Sequence, residues 1–163
     1  MDEVTTQAKR TVLRMVPYGL YIVTARGADG STNGFTANWV TQAGFEPPMV
    51  AVAIVHESRT LELIRSSSRF AVTVMPDGSR DLARRLGRPH FKAPDKIDGL
   101  DLREAAHGTP VLADGLGYLE CALRGELEYG ADHRLLVGEV IDAGVFREGD
   151  VQTMQAAGMK YSG

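Results

Sequence analysis

Asn33-Gly34-Phe35-Thr36-Ala37-Asn38-Trp39-Val40-Thr41, followed by Pro47-Pro48 and the apolar run Met49-Val50-Ala51-Val52-Ala53-Ile54-Val55, decides the reading of this chain. β-branched and aromatic residues mark the first stretch as a strand, while Gly34, Thr36, Ala37 and Asn38 are small or amide-bearing. Such a strand lets a flat ligand lie close to the main chain, because few bulky side chains hold it off. Its backbone groups, with the Thr and Asn side chains, offer a row of donors and acceptors to a ligand edge. The same residues also suit an ordinary strand in which Gly34 marks a bulge.

Working outward, residues 18–26 are rich in strand formers, and the Gly27-Ala28-Asp29-Gly30-Ser31 cluster turns them into a hairpin with 33–41. Gly44-Phe45-Glu46-Pro47-Pro48 is a second turn, and 49–55 suits a strand buried on both faces, so the first part reads as an antiparallel meander. Upstream, Val4, Ala8, Val12, Leu13 and Val16 have helical spacing, stopped by Pro17. Downstream, Ser58 and Thr60 are natural N-caps for a short helix carrying Leu61, Leu63 and Ile64. Its free N–H groups, together with Arg59, favour a phosphate, although a plain capped helix with a solvated Arg explains the same residues. A strand at 70–75 and a helix at 79–86 follow.

Residues 88–116 are punctuated by Pro89, Pro94, Gly99, Gly108 and Pro110, a connection long enough to carry structure of its own or to reach over a neighbouring subunit. In 117–129, Leu119, Cys121, Leu123, Leu127 and Tyr129 share an inward face, and Glu120, Arg124, Glu126 and Glu128 an outward one. Gly130-Ala131-Asp132-His133 turns the chain into a long partner strand at 134–146, and 149–163 has no assignment. Strands outnumber helices. The expected fold is mainly β, a Greek-key-like barrel with a few short peripheral helices, in one domain spanning 1–163.

Composition narrows the function classes. The 163 residues are 44% hydrophobic and 24% charged, with net charge −3 and no Lys/Arg block, so neither nucleic acid nor a membrane surface is an expected partner. Met1-Asp2-Glu3 has the wrong sign for a secretory signal, and a cytoplasmic protein is expected. Cys121 is the single cysteine, and His56, His90 and His107 lack ligand spacing, so no metal site is expected.

These stretches, with Tyr18-Gly19-Leu20-Tyr21-Ile22-Val23-Thr24-Ala25, Ser58-Arg59-Thr60-Leu61-Glu62-Leu63-Ile64 and Asp132-His133 before Gly138-Glu139-Val140, resemble the flavin reductase-like proteins of the FMN-binding split-barrel fold. The resemblance runs in order over most of the chain. Within the family it is most similar to the flavoredoxin branch and to the flavin domain of high-molecular-weight rubredoxins, without a rubredoxin extension. It implies a homodimer that binds FMN or FAD near the subunit interface and reduces it with NADH or NADPH. By the same resemblance Thr36, Ala37, Asn38 and Trp39 lie along the isoalloxazine edge, with Ala53 and Ile54 on the adjoining strand. Ser58, Arg59 and Thr60 form the phosphate turn. Phe91 matches one member of the family's Arg-Phe pair, and His133 corresponds to the position facing the nicotinamide. The family's Gly-Asp-His is lengthened here by Ala131, and Gly158-Met159-Lys160-Tyr161 partly matches a Gly-x-x-Tyr ending.

Each of these residues also has a plainer reading: His133 as a solvated turn residue, Trp39 as core, Cys121 as a small buried hydrophobe. Ser66-Ser67-Ser68 lacks the surroundings of a hydrolase elbow, and no Gly-x-Gly-x-x-Gly follows a strand, so any nicotinamide binds without a Rossmann unit. Three functions fit. One is an NAD(P)H:flavin oxidoreductase supplying a monooxygenase or other redox partner, with the flavin carrying the chemistry and no catalytic side chain. The others are an FMN-holding electron carrier and a non-catalytic split-barrel binding protein.

Overall fold

The computed structural model describes residues 3–160. In chain order its elements are α1 (Glu3–Leu13), β1 (Tyr21–Arg26), β2 (Thr32–Ala37), β3 (Val40–Phe45), β4 (Pro48–Val55), α2 (Arg59–Ser67), β5 (Arg69–Val74) and α3 (Arg80–Leu86). A single 3-10 turn (His90–Lys92), β6 (Leu102–Glu104), β7 (Pro110–Leu112), β8 (Gly117–Glu128) and β9 (His133–Val145) follow. Seven strands form one antiparallel sheet in the order β2-β1-β5-β8-β9-β4-β3, and β6 pairs with β7 as a separate hairpin. No helix among the described residues is long and apolar enough to cross a membrane.

The stretch 33–41, expected as one strand, is two. β2 pairs with β1 from Arg26↔Thr32 to Tyr21↔Ala37, whereas β3 pairs with β4 from Val40↔Val52 to Phe45↔Pro48. β2 and β3 are the two edges of the sheet, yet only Asn38 and Trp39 separate them. Three Cα–Cα steps span at most about 11 Å. The sheet is therefore rolled until its edges nearly meet, and the N–H of Ala53 fastens the corner by donating to the Trp39 carbonyl at 3.0 Å. The expected barrel holds, but the expected meander is two separate hairpins, β1-β2 and β3-β4, joined at a corner where an uninterrupted strand was expected.

Inside the roll, Val23, Val52, Phe70, Val72, Cys121 and Leu136 are fully buried. Burial pushes the Cys121 thiol up to about 12. Gly138 is small because of Phe70: a Cβ there would meet that ring at 2.6 Å. Gly34 likewise serves packing, since a Cβ would lie 2.9 Å from the Val23 carbonyl, and its register with Thr24 is unbroken, so no bulge occurs there.

Two other expectations need correcting. Helix α1 ends at Leu13, before the proline, and none of its residues is buried. The alternation expected in 117–129 fails because β8 shifts register between Glu120 and Cys121 and again between Leu123 and Gly125. Glu120, expected outward, is fully buried beside Cys121, while Leu127 and Tyr129 are exposed. The 88–116 connection carries structure of its own, one of its two expected readings: it contains the 3-10 turn, β6 and β7, and Thr24 donates its hydroxyl to the Pro110 carbonyl while the Leu112 N–H donates to the Thr73 hydroxyl. The unassigned C-terminal segment packs against α3. There Met154 and Ala157 join Leu20 and Ala83, and the Gln152 side-chain oxygen accepts the N–H of Ser79 at the helix start. Tyr161 lies outside the described residues.

Candidate functional site

The corner between β2 and β3 opens onto a cavity of about 900 Å³. Its floor is β2 and the ends of β4, its walls are the start of α2 on one side and α3 with the 3-10 turn on the other, and His133 at the start of β9 closes one flank. The volume is ample for a cofactor-sized ligand. Thr36, Ala37, Asn38, Trp39, Ala53, Ile54, Ser58, Arg59, Phe91 and His133 all line it. Thr60 does not: it is fully buried behind the helix start, with its hydroxyl lacking a partner. Phe91 stands at the mouth, 79% exposed. Gly34 is absent from the lining, so its smallness does not serve the cavity.

The lining is mostly apolar, but some of its buried polar atoms lack partners among the described residues: Asn33 Oδ1, Asn38 Nδ2 and His90 Nδ1. Buried polar atoms are normally paired, so orphans along one cavity suit a ligand that brings its own donors and acceptors. A planar ring with polar edges, such as isoalloxazine, fits that pattern. Thr36, which lines the cavity, also donates its hydroxyl to the Ala83 carbonyl at 2.6 Å and so ties α3 to the floor.

At the α2 end, Ser58 is the N-cap residue but makes no side-chain cap bond. The first-turn N–H groups of a helix have no intrahelical acceptors, which favours an anion. The Arg59 guanidinium is shared here with Glu62 at 2.6 Å, the Ser31 hydroxyl at 3.1 Å and Asp29 at 3.7 Å. It is positioned rather than loose.

His133 is 7% exposed, and its Nδ1 sits 2.8 Å from Asp132 Oδ1. That contact holds the Asp132 carboxyl below its ordinary value. Its ring meets Trp39 edge-on, with centroids 4.8 Å apart. The extra Ala131 does not swing the ring out. The His56 imidazole bonds the Ala131 carbonyl, His56 N–H donates to the Asp132 carbonyl at 3.3 Å, and His133 pairs with Val55.

Several lining residues were not anticipated, among them Asn33, Arg84, Arg88, His90 and Lys96. Lys96 is 5% exposed and donates to the carbonyls of Leu86 and Arg88, both at 2.9 Å. Burial lowers its ammonium to about 8. A lone lysine in an irregular stretch gives no periodic signal, so only the fold reveals its burial.

A rolled antiparallel sheet with a polar-edged cavity over its corner places the protein in the class of FMN-binding split barrels. Residues 13–161 match the model of the flavin reductase like domain, and the chain belongs to that family. It is 33% identical over 122 residues to the "Probable flavin reductase" of Rhizobium meliloti (strain 1021), covering 75% of this chain and 38% of that one. To the high molecular weight rubredoxin of Moorella thermoacetica it is 34% identical over 143 residues, 86% of this chain and 62% of the relative. The chain thus spans less than two thirds of the length of each. The NADH:FAD oxidoreductase of Streptomyces globisporus superposes with a TM-score of 0.77 at 28% identity, over 100% of this chain and 90% of that one.

Proposed function

We propose that the protein is an NAD(P)H:flavin oxidoreductase, working as the reductase that supplies reduced flavin or electrons to a monooxygenase or another redox partner. The observation that carries this reading is the cavity over the Asn38-Trp39 corner, whose mostly apolar lining includes the orphaned polar atoms of Asn33, Asn38 and His90. Bound there, FMN or FAD would supply the hydride acceptor, and the protein would supply position and polarity. Asn38 and the backbone of β2 would meet the polar edge of the ring, where donors stabilise negative charge that develops on reduction. Ala53 and Ile54 would pack on its apolar part, and Ser58, Arg59 and the α2 N–H groups would hold its phosphate. Trp39 would continue the isoalloxazine edge, and His133 beside it would face the nicotinamide of NADH or NADPH. No side chain is assigned a proton-transfer or nucleophilic role.

Support also comes from the relatives, which include a protein named flavin reductase and one named NADH:FAD oxidoreductase. A second reading, an electron carrier that keeps its FMN, is favoured by the match to a high molecular weight rubredoxin. Anaerobic titration of flavin-loaded protein with each nicotinamide separates the two. Bleaching by NADH or NADPH supports the reductase, a yellow protein that neither bleaches supports the carrier, and a protein that takes up no flavin rejects both. A homodimer and a cytoplasmic location belong to the same proposal. Phe45, on the sheet edge, is 89% exposed and offers an apolar contact for a second copy. A monomer in light scattering at micromolar concentration, with flavin bound, would remove the dimer.

A further inference from the structure

The cavity has cationic groups on both walls, and they differ in their counter-charges. At the α2 wall, Arg59 is balanced by Glu62 and Asp29. At the α3 wall, Arg84, Arg88 and Lys96 all line the cavity, and among the described residues none of them has a carboxylate partner. Arg84 and Arg88 are one helical turn apart in number and exposed, so water solvates them. Lys96 is not exposed. Its bonds to the Leu86 and Arg88 carbonyls leave one of its three protons over, and a buried ammonium without a counter-ion is costly. His90 Nδ1, an orphaned polar atom, lies on the same wall.

The walls are also well separated. Arg59 reaches Ser31, just before β2, while α3 is tied to the floor through Thr36 and Ala83. Ser31 and Thr36 are five residue steps of extended chain apart, about 16 Å at the rise of a strand. One phosphate cannot bridge that distance. A mononucleotide held at Arg59 leaves the α3 wall uncompensated.

We propose that Arg84, Arg88 and Lys96 form a second phosphate subsite, which takes the adenylate-side phosphate of a dinucleotide, either FAD or NAD(P)H. The inference rests on the flavin reading of the cavity and adds a reason for a dinucleotide to be preferred over a mononucleotide. Lys96 supplies a fixed charge at the base of the wall, while Arg84 and Arg88 close on the phosphate from the solvent side. Arginine suits that role because its planar fork pairs with phosphate oxygens in twos.

The test uses ADP as probe, which carries the phosphates without the flavin or nicotinamide ring. ADP and FMN are titrated calorimetrically into the wild-type protein and into Arg84→Ala/Arg88→Ala, both exposed positions that spare Lys96 and the fold. The expected result is a loss of ADP affinity of tenfold or more with FMN affinity within twofold. A fall in FAD affinity relative to FMN in the same variant identifies the flavin dinucleotide as the source. A rise in KM for NAD(P)H, with FMN bound, identifies the nicotinamide dinucleotide. Unchanged ADP affinity, an equal loss for ADP and FMN, or no effect on either dinucleotide overturns the subsite. Wild-type protein that binds ADP but neither FMN nor FAD would instead overturn the flavin reading of the cavity, and the two failures stay distinct.

Discussion

Trp39 and His133 meet edge to face at the mouth of the β2–β3 corner, with ring centroids 4.8 Å apart and planes inclined by 61°. They come from opposite ends of the sequence and are joined only by the roll of the sheet, which brings the corner beside the start of β9. The pair gives His133 a fixed orientation, reinforced by Asp132 at Nδ1. His133→Ala is expected to raise KM for NAD(P)H by about two- to tenfold, the loss of one hydrogen bond worth about 0.5–1.5 kcal/mol. Flavin affinity should change little, because the binding mode proposed above draws its isoalloxazine and phosphate contacts from β2, β4 and α2. Steady-state kinetics beside a flavin titration checks this. Equal KM in variant and wild type would make the histidine a packing partner of Trp39 and nothing more.

Arg59 is already engaged by Glu62 and Asp29, so a phosphate arriving at α2 competes with two carboxylates. Arg59→Ala should weaken FMN binding about tenfold to a hundredfold, a charge-assisted contact of about 1.5–3 kcal/mol, while riboflavin binding stays nearly constant. Glu62→Gln should act in the opposite direction and tighten FMN, since it removes a competitor at 2.6 Å. Fluorescence quenching of both flavins by the two variants measures the difference. Equal effects on FMN and riboflavin would place the phosphate elsewhere.

Glu120 marks where strand alternation misled. Two register shifts in β8 put it inside, where it accepts the N–H groups of His107 at 3.0 Å and Thr109 at 3.2 Å, together with His107 Nδ1 at 3.0 Å. Burial pushes its carboxyl upward, but the hydrogen bonds from Thr109 and His107 outweigh that and hold it below its ordinary value. Its folded pKa is therefore depressed. Its stabilisation is present above the unfolded value of 4.5 and is lost as pH falls through the lower folded value. Glu120→Gln should cost about 2 kcal/mol at pH 7, because an amide N–H₂ then faces a donor. It should also flatten the acid limb of the stability curve. Urea melts from pH 3 to 7 test both, and a variant as stable and as acid-sensitive as wild type would show that the pocket repacks freely.

What the sequence made legible follows from local chemistry. Turn residues at 27–31 and 44–48, β-branched runs and the start at Ser58 each act within a few positions, and the hairpins and α2 appear where those signals lie. The residues from 36–39, 53–54, 58–59, 91 and 133 gather at one cavity because the resemblance carried their long-range placement. Features that depend only on tertiary packing were invisible. The Asn38-Trp39 corner, the bulges around Glu120 and the burial of Lys96 have no periodic signature. Asn33 opens the decisive stretch, but nothing in its spacing distinguishes a buried orphan from a turn residue.

Lys96 offers the last prediction, because its sign is the reverse of the common case. Burial depresses the ammonium from 10.5 to about 8, so between those values the unfolded chain binds more protons than the folded one. Stability attributable to Lys96 should then rise with pH across that window, by about 3 kcal/mol at most, and level off on either side. Cys121 opposes it: its folded pKa is raised from 9.0 to about 12, so its contribution falls as pH climbs above 9. The two overlap, and wild type alone cannot resolve them. Lys96→Met keeps Cys121 and removes the lysine. The difference in unfolding free energy between wild type and Lys96→Met should therefore climb in favour of wild type from pH 8 to 10.5. Saturating ADP, if its phosphates reach the α3 wall, should move that climb to higher pH by favouring the charged lysine. A difference that stays flat from pH 7 to 11 would mean that the carbonyls of Leu86 and Arg88 fully offset the burial of the charge.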